Sequence, residues 1–339
     1  MQTSNQLSKR LLGQFYTTTN PFVNEPFIKW LRAIPDIHKL ELLEPFAGAN
    51  NIVSLYRELD LEFDNSWKCF DIVPRDQDEP DASGFKVEKR DTLKNYPRGF
   101  SVAITNPPYL AKNSASARGL SYQGGTYDDV YKYALHVMLQ HTQYVAAIIP
   151  ESFITQNLFH DRLSAVISLT CRMFEDTEVP VCLALFVPSE SKSSTSDFEI
   201  WAENRRLGTY ERLKTKLNKF TGPKQPWKFN DPDGAIGLRA IDNQLSASIR
   251  FVKGQEIESS RISVSSRSLT RISLSGLSTR DAGRLVVAAQ KLLEDRRKST
   301  KDVFMTAFKG LRKDGKYRRR LDFAQARDIL DTAYAQLFN

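Results

Sequence analysis

"LELLEPFAGANNI", residues 40–52, is the stretch on which the architecture turns. An apolar run closes on an acidic residue and an aromatic, Gly48 turns the chain, and a helical pattern starts at about residue 49. A strand that hands over to a helix through a short glycine turn is the first half of a βαβ crossover. Outward from it the alternation continues. Strands are expected at 40–46, 67–73, 85–90, 101–105, 144–150, 169–174 and 181–187, with helices over 21–34, 49–60, 127–142 and 151–166. In the third helix Val130, Ala134, Val137 and Met138 recur at helical spacing and give one buried face. An α/β domain follows.

The texture changes further on. The Ser-rich "SESKSSTSD" (189–197) has the composition of an exposed loop, and "FEIWA" after it reads as one more strand of the same sheet. A second domain is expected from about residue 203, giving divisions 1–202 and 203–339. There "RISVSSRSLTRISLS" (261–275) alternates Ile262, Val264, Ile272 and Leu274 with Ser and Arg, as strands with one wet face do. A helix over 281–298, opened by Ser278 and Asp281 at capping-box spacing, and another over 320–337 make this part α+β.

Charge separates the two parts. Residues 1–200 carry 19 Lys and Arg against 25 Asp and Glu, a net of −6; residues 201–339 carry 29 against 15, a net of +14. The overall +8 therefore lies wholly in the second part, the electrostatic footprint of a polyanionic partner. No apolar run approaches the roughly 18 residues of a membrane span, and the first residues lack the apolar core of a secretory signal, so a cytoplasmic location is expected. Cys69, Cys171 and Cys182 form no C-x-x-C pair, and His38, His136, His141 and His160 form no ligand cluster; neither disulfides nor a metal site is expected.

Chemistry concentrates in "ITNPPYLAK", residues 104–112. Proline fixes its own φ and keeps the preceding residue out of the helical region, so Asn106 and Pro107 are held extended where a strand ends. The result is a rigid ledge that offers two acceptors, the Asn106 side-chain oxygen and the Pro107 carbonyl, to one planar NH2 group. The exocyclic amine of a nucleobase is a poor nucleophile because its lone pair is delocalised into the ring. Two acceptors on its hydrogens favour a pyramidal nitrogen and localise that pair. Beside them Tyr109 supplies a face for stacking. The segment 110–127 that follows is rich in Gly, Ser and Asn and reads as a loop without a core.

Joined to the other motifs, this pattern resembles the gamma group of DNA N6-adenine methyltransferases. "ELLEPFAGANNI" (41–52) is similar to the first-strand motif of S-adenosylmethionine-dependent methyltransferases, with Glu44, Phe46 and Gly48 in place and Asn50 where the family often has another glycine. Asp71, followed by Ile72, stands where the family uses a carboxylate for the ribose hydroxyls, and Asp91 where it receives the adenine amine of the cofactor. "LLGQFYTTTNPF" (11–22), with Phe15, Tyr16 and Thr17, looks like the segment that folds over the methionine end of the cofactor. "MFEDTEVPVCLALFV" (173–187) resembles the late hairpin of the family, in which Phe174 would stack on a flipped base opposite Tyr109.

The resemblance implies a doubly wound, mostly parallel, Rossmann-like sheet carrying a target-recognition domain. It also implies S-adenosylmethionine as cofactor and Asn106, Pro107, Pro108, Tyr109 and Phe174 as catalytic residues. Methyl transfer would be to N6 of an adenine extruded from double-stranded DNA, within restriction-modification, where a restriction endonuclease acts on the same site. Three alternatives keep the ledge or the fold: N4 of cytosine as target, an RNA or protein amine as substrate, and a non-catalytic DNA-binding protein. C5-cytosine methylation is disfavoured, because it needs a Cys nucleophile, usually in a Pro-Cys pair that this chain lacks.

Overall fold

The computed structural model describes residues 17, 19–74, 83–169, 172–174, 179–191, 197–217 and 220–338. The chain divides into two compact units, residues 1–206 and 207–339.

In the first unit a mostly parallel sheet is built from β1 (Leu42–Glu44), β2 (Trp67–Asp71), β3 (Val87–Lys89), β4 (Val102–Thr105), β5 (Tyr144–Pro150), β6 (Leu163–Leu169), β7 (Val181–Phe186) and β8 (Glu199–Ala202). A ninth strand, β9 (Arg205–Thr209), carries the chain across the division, and the order is β3-β2-β1-β4-β5-β7-β6-β8-β9. The strands from β1 to β5 pair in parallel, whereas β7 runs antiparallel to both β5 and β6. Direction in the chain and order in space part company between β1 and β4. At such a switch point an open α/β sheet leaves a crevice at the carboxyl ends of its strands. The doubly wound α/β fold expected from the sequence is the fold observed.

Burial explains why these segments are strands. Every residue of β4 and β7 is buried, and so are the five inner residues of β5, as befits central strands covered on both faces. Helix α1 (Glu25–Arg32) starts where the Asn24 side chain accepts the Phe27 N–H at 3.0 Å, with Pro26 in its first turn. It buries Phe27, Trp30 and Leu31, and the Trp30 indole donates to the Phe186 carbonyl at 3.1 Å, which lays the helix on β7. Helix α2 (Asn51–Arg57) follows β1, α3 (Lys112–Ala117) follows the ledge, and α4 (Val130–His141) precedes β5.

The structure departs from the sequence reading at three places. The helix expected over 151–166 is a 3-10 turn, Glu151–Thr155, followed by β6, and the strand expected over 169–174 ends at Leu169. The run "LSAVISL" is apolar without a wet face because β6 lies between β7 and β8, so periodicity does not separate helix from strand there, and the β-branched Val166 and Ile167 favour the strand. The loop expected over 110–127 is partly helical: Ala115 is fully buried in α3, and the Lys112 N–H donates to the Asp128 carbonyl at 2.8 Å. In the second unit the alternating stretch 261–275 is a strand only over its later part. Asn230 Nδ2 donates to the carbonyls of Val264 and Ser266 and holds that loop out of the sheet, leaving Val264 96% exposed.

The second unit is α+β. Helix α5 (Tyr210–Thr215) leads to strands β10 (Lys228–Phe229), β11 (Ile236–Arg239), β12 (Arg250–Lys253) and β13 (Leu269–Ser273), ordered β10-β13-β11-β12 and antiparallel throughout. Helix α6 (Thr279–Thr300) is capped by Ser278, whose hydroxyl oxygen accepts the Asp281 N–H at 3.1 Å, as the capping spacing indicates. After it come the hairpin β14 (Thr306–Leu311) and β15 (Tyr317–Arg320), and helix α7 (Phe323–Phe338). Ile236, Leu238, Phe251 and Ile272 of the sheet pack with Leu285 and Leu293 of α6 and Ile329 and Leu330 of α7. Buried Asp242 fastens this unit: it accepts from both terminal nitrogens of Arg297, and its carbonyl accepts from Arg318 at 2.7 Å. No helix among the described residues is long and apolar enough to cross a membrane.

Candidate functional site: a cleft at the carboxyl ends of the strands

Parallel pairing brings the ends of β1, β2, β3 and β4 to one edge of the sheet, so Glu44, Asp71, Asp91 and Asn106 converge although they lie far apart in sequence. The turn between β1 and α2 is left-handed twice, at Gly48 (φ 54°) and at Asn50 (φ 61°). Asparagine is the side chain that best tolerates this conformation apart from glycine, which suits Asn50 to this position. Its Nδ2 also donates to Ser83 Oγ at 2.6 Å and to the Phe85 carbonyl at 3.2 Å. The Gly48 N–H donates to Asp71 Oδ2 at 2.9 Å and the Val73 N–H to Asp71 Oδ1 at 2.8 Å, which joins the turn to the end of β2.

Glu44 lies beneath the turn and is fully buried. Its Oε1 accepts the Phe46 N–H at 2.9 Å and the Thr105 hydroxyl at 2.5 Å, bridging β1 to β4, while Oε2 is buried without a partner among the described residues. Burial pushes this carboxyl up to about 8, the two hydrogen bonds opposing the shift and the neighbouring Asp71 charge adding to it. It is therefore protonated at neutral pH and orients the turn from below.

Around the cleft stand Thr17, Phe46, Gly48, Asp71, Ile72 and Asp91. Asn106 and Pro108 of the ledge line the same space, whose volume is about 990 Å³ with its open mouth included. Thr92, Leu110, Ser121 and Gln123 line it too. The last two come from the segment that composition assigns to a plain loop, and neither has a sequence signal. Asp91, half-buried, meets the exposed Lys94 at 3.0 Å. Thr17, 2% exposed, bridges to Phe174, and its carbonyl accepts from Asn51 at 3.0 Å. Phe15 and Tyr16 lie outside the described residues.

The ledge is held from behind. Leu110 N–H donates to Asp129 Oδ1 at 3.0 Å, and Ala111 bridges to Asp129, so the chain after Tyr109 is tied to the start of α4. The Tyr109 hydroxyl lies 2.6 Å from Asn106 Oδ1 and 2.6 Å from the Ile148 carbonyl of β5. It carries one proton, so it donates to one of them at a time. Asn106 Nδ2 reaches Thr17 Oγ1 at 3.4 Å. Phe174 is fully buried against Tyr109, with ring centroids 6.2 Å apart and planes at 72°. The two rings meet edge to face, with no flat slot between them. Glu44, Pro107, Tyr109 and Phe174 do not themselves line the cleft.

An open, mostly parallel sheet with acidic strand ends around a crevice places the chain among α/β proteins, whose ligand crevices lie at the carboxyl ends of the strands. No family model matches the chain, and no curated protein matches it. Among solved structures it is similar to the type I restriction-modification methyltransferase subunit of Streptococcus thermophilus, with 14% identity over 60% of this chain and 53% of that one and a TM-score of 0.38. It is also similar to the M protein of the type I restriction enzyme EcoKI, with 12% identity over 86% of this chain and 73% of that one, TM-score 0.38. A third is the type IIG restriction endonuclease BpuSI, with 14% identity over 57% of this chain and 28% of that one, TM-score 0.39. The chain thus spans about half the length of the Streptococcus subunit.

Proposed function

We propose that the chain is an S-adenosylmethionine-dependent methyltransferase that modifies an exocyclic amine in DNA, N6 of adenine, with residues 1–202 catalysing and 203–339 recognising the target. The observation that carries this reading is the sharing of one cleft by Asp71, Asp91 and the Asn106 and Pro108 of the ledge. The residues fit the cofactor. Asp71, whose two oxygens accept the Gly48 and Val73 N–H groups, sets a carboxylate at the cleft wall where ribose hydroxyls would lie, Ile72 is 38% exposed and offers an apolar face, and the left-handed turn at Gly48 brings backbone close to whatever lies in the cleft. When bound, S-adenosylmethionine supplies an electrophilic methyl group.

The chain supplies the rest. Asn106 Oδ1 and the Pro107 carbonyl accept the two amine hydrogens and concentrate electron density on nitrogen as it attacks. The Tyr109 hydroxyl, between Asn106 Oδ1 and the Ile148 carbonyl, braces the ledge from behind and fixes where Asn106 Oδ1 meets the amine. A base reaches this position only after Phe174 parts from the Tyr109 ring, and the two aromatics then stack on it. The basic excess of the second part favours a nucleic acid over a protein substrate. Sequencing DNA from a host that expresses the chain, with detection of modified bases, tests the reading. Methylated adenine at a defined site supports it; methylated cytosine moves the target to N4, and unmodified DNA removes the assignment.

A further inference from the structure

Three arginines of the second unit lie on one face of its four-stranded sheet. Strand register places Arg239 of β11 directly opposite Arg250 of β12, and Gly237, two residues back on the same face, opposite Arg271 of β13. The other face, with Ile236, Leu238, Phe251 and Ile272, is the one packed on α6 and α7. Directly opposed like charges weaken a sheet, so folding by itself gains nothing from Arg239 beside Arg250. No ion pair to any of the three occurs among the described residues, although Lys228, farther along the same face, reaches Asp231 at 3.2 Å. Each inner guanidinium has one modest backbone bond, Arg239 to the Glu256 carbonyl at 3.3 Å and Arg271 to the Gly234 carbonyl at 3.0 Å. The Arg239 Nε is buried with no partner among the described residues, and Arg250 is exposed. The acid nearest Arg250 in sequence, Glu256, accepts the Lys253 N–H at 3.0 Å.

We infer that this face binds the phosphodiester backbone of duplex DNA, with Arg239, Arg250 and Arg271 taking phosphate oxygens. The inference rests on the proposed DNA methyltransferase function. Guanidinium groups match phosphate geometry, and an anion seated between Arg239 and Arg250 turns their mutual repulsion into shared attraction. Gly237, between them and Arg271, adds no side chain of its own, and the space over it is taken by Val252 and Ile257, which gives the cluster a dry floor. Contacts of this kind hold the duplex without reading its sequence.

The test is fluorescence anisotropy of a labelled duplex over a series of salt concentrations with wild type, Arg250→Gln, Arg250→Lys and, as a control on α6, the exposed Arg280→Gln. Arg250→Gln should weaken specific and unrelated duplexes by similar factors and make the salt dependence shallower by about one unit of slope, while Arg250→Lys keeps the slope. Relief of the like-charge pair should leave the melting temperature of DNA-free Arg250→Gln equal to or above that of wild type. If wild type binds duplex and Arg250→Gln binds it with unchanged slope, the inference is overturned and the functional reading stands. If Arg280→Gln lowers the slope as much as Arg250→Gln, the face has no special role and the inference is likewise overturned. Wild type without affinity for duplex sinks the functional reading itself.

Discussion

Glu44 shows how a strand-end acid can act from beneath a turn rather than from the cleft wall. Sequence places it among cofactor ligands, yet the structure buries it under the turn, protonated, with its charge suppressed. Its carboxyl titrates near 8 in the folded chain against 4.5 unfolded, so between those values the folded chain retains a proton that the unfolded chain has lost. The corresponding stability is whole at low pH and is lost as the pH rises toward about 8, to an extent of a few kcal/mol. Glu44→Gln, fixed in the neutral form, should escape that loss. Urea unfolding at about pH 6 and about pH 8.5 should show wild type falling more than the variant, and equal falls would mean that Glu44 is ionised in the fold. Tyr109 divides similarly into ring and hydroxyl. Tyr109→Phe keeps the stacking face and should retain most of the turnover, whereas Tyr109→Ala should weaken the hold on an extruded base by roughly 1–3 kcal/mol. A fluorescent adenine analogue at the target reads this directly, and equal signals from the two variants would remove the stacking role. Asp71→Ala should weaken cofactor binding in calorimetry and also free the Gly48 N–H that Asp71 now holds. Unchanged affinity would mean that the cleft serves another ligand.

At the scale of the element, the turn from β1 to α2 is where conformation and chemistry meet. Asn50→Gly keeps a residue at ease with φ 61° and loses only the bonds to Ser83 and Phe85, whereas Asn50→Ala loses those bonds and adds strain of about 1–2 kcal/mol. Chemical denaturation should therefore rank wild type above Asn50→Gly and Asn50→Gly above Asn50→Ala; the reverse order for the two variants would show that the left-handed turn is not a constraint. This turn was legible because glycine, an acid and an aromatic sit at fixed offsets beside an apolar run. So was β4, whose four buried residues end in a pair of prolines that stop the strand. The β6 segment was not legible, because a strand covered on both faces has no periodic signal of its own and its partners, β7 and β8, come later in the chain. Ser121 and Gln123 reach the cleft through the fold of segment 110–127 alone, which no local pattern reports.

Across the whole molecule, charge separates acidic strand ends in the first unit from a basic excess beyond residue 200. The first unit gathers its site by parallel pairing, so the ledge and the acidic residues needed only the correct strand order to meet. The charge count puts a basic excess in the second part but does not say which face groups it, since the grouping of Arg239, Arg250 and Arg271 depends on register. The central claim is that Asn106 accepts the amine of a flipped adenine. Single-turnover transfer of a labelled methyl group from S-adenosylmethionine to duplex DNA, followed by digestion to nucleosides, tests it most directly when wild type and Asn106→Ala are run side by side with calorimetry of cofactor binding. The account predicts label in N6-methyldeoxyadenosine for wild type, and for Asn106→Ala a rate lower by a factor on the order of a hundred or more with cofactor affinity within a few-fold. Label on another base, or an Asn106→Ala rate within a few-fold of wild type, would contradict it.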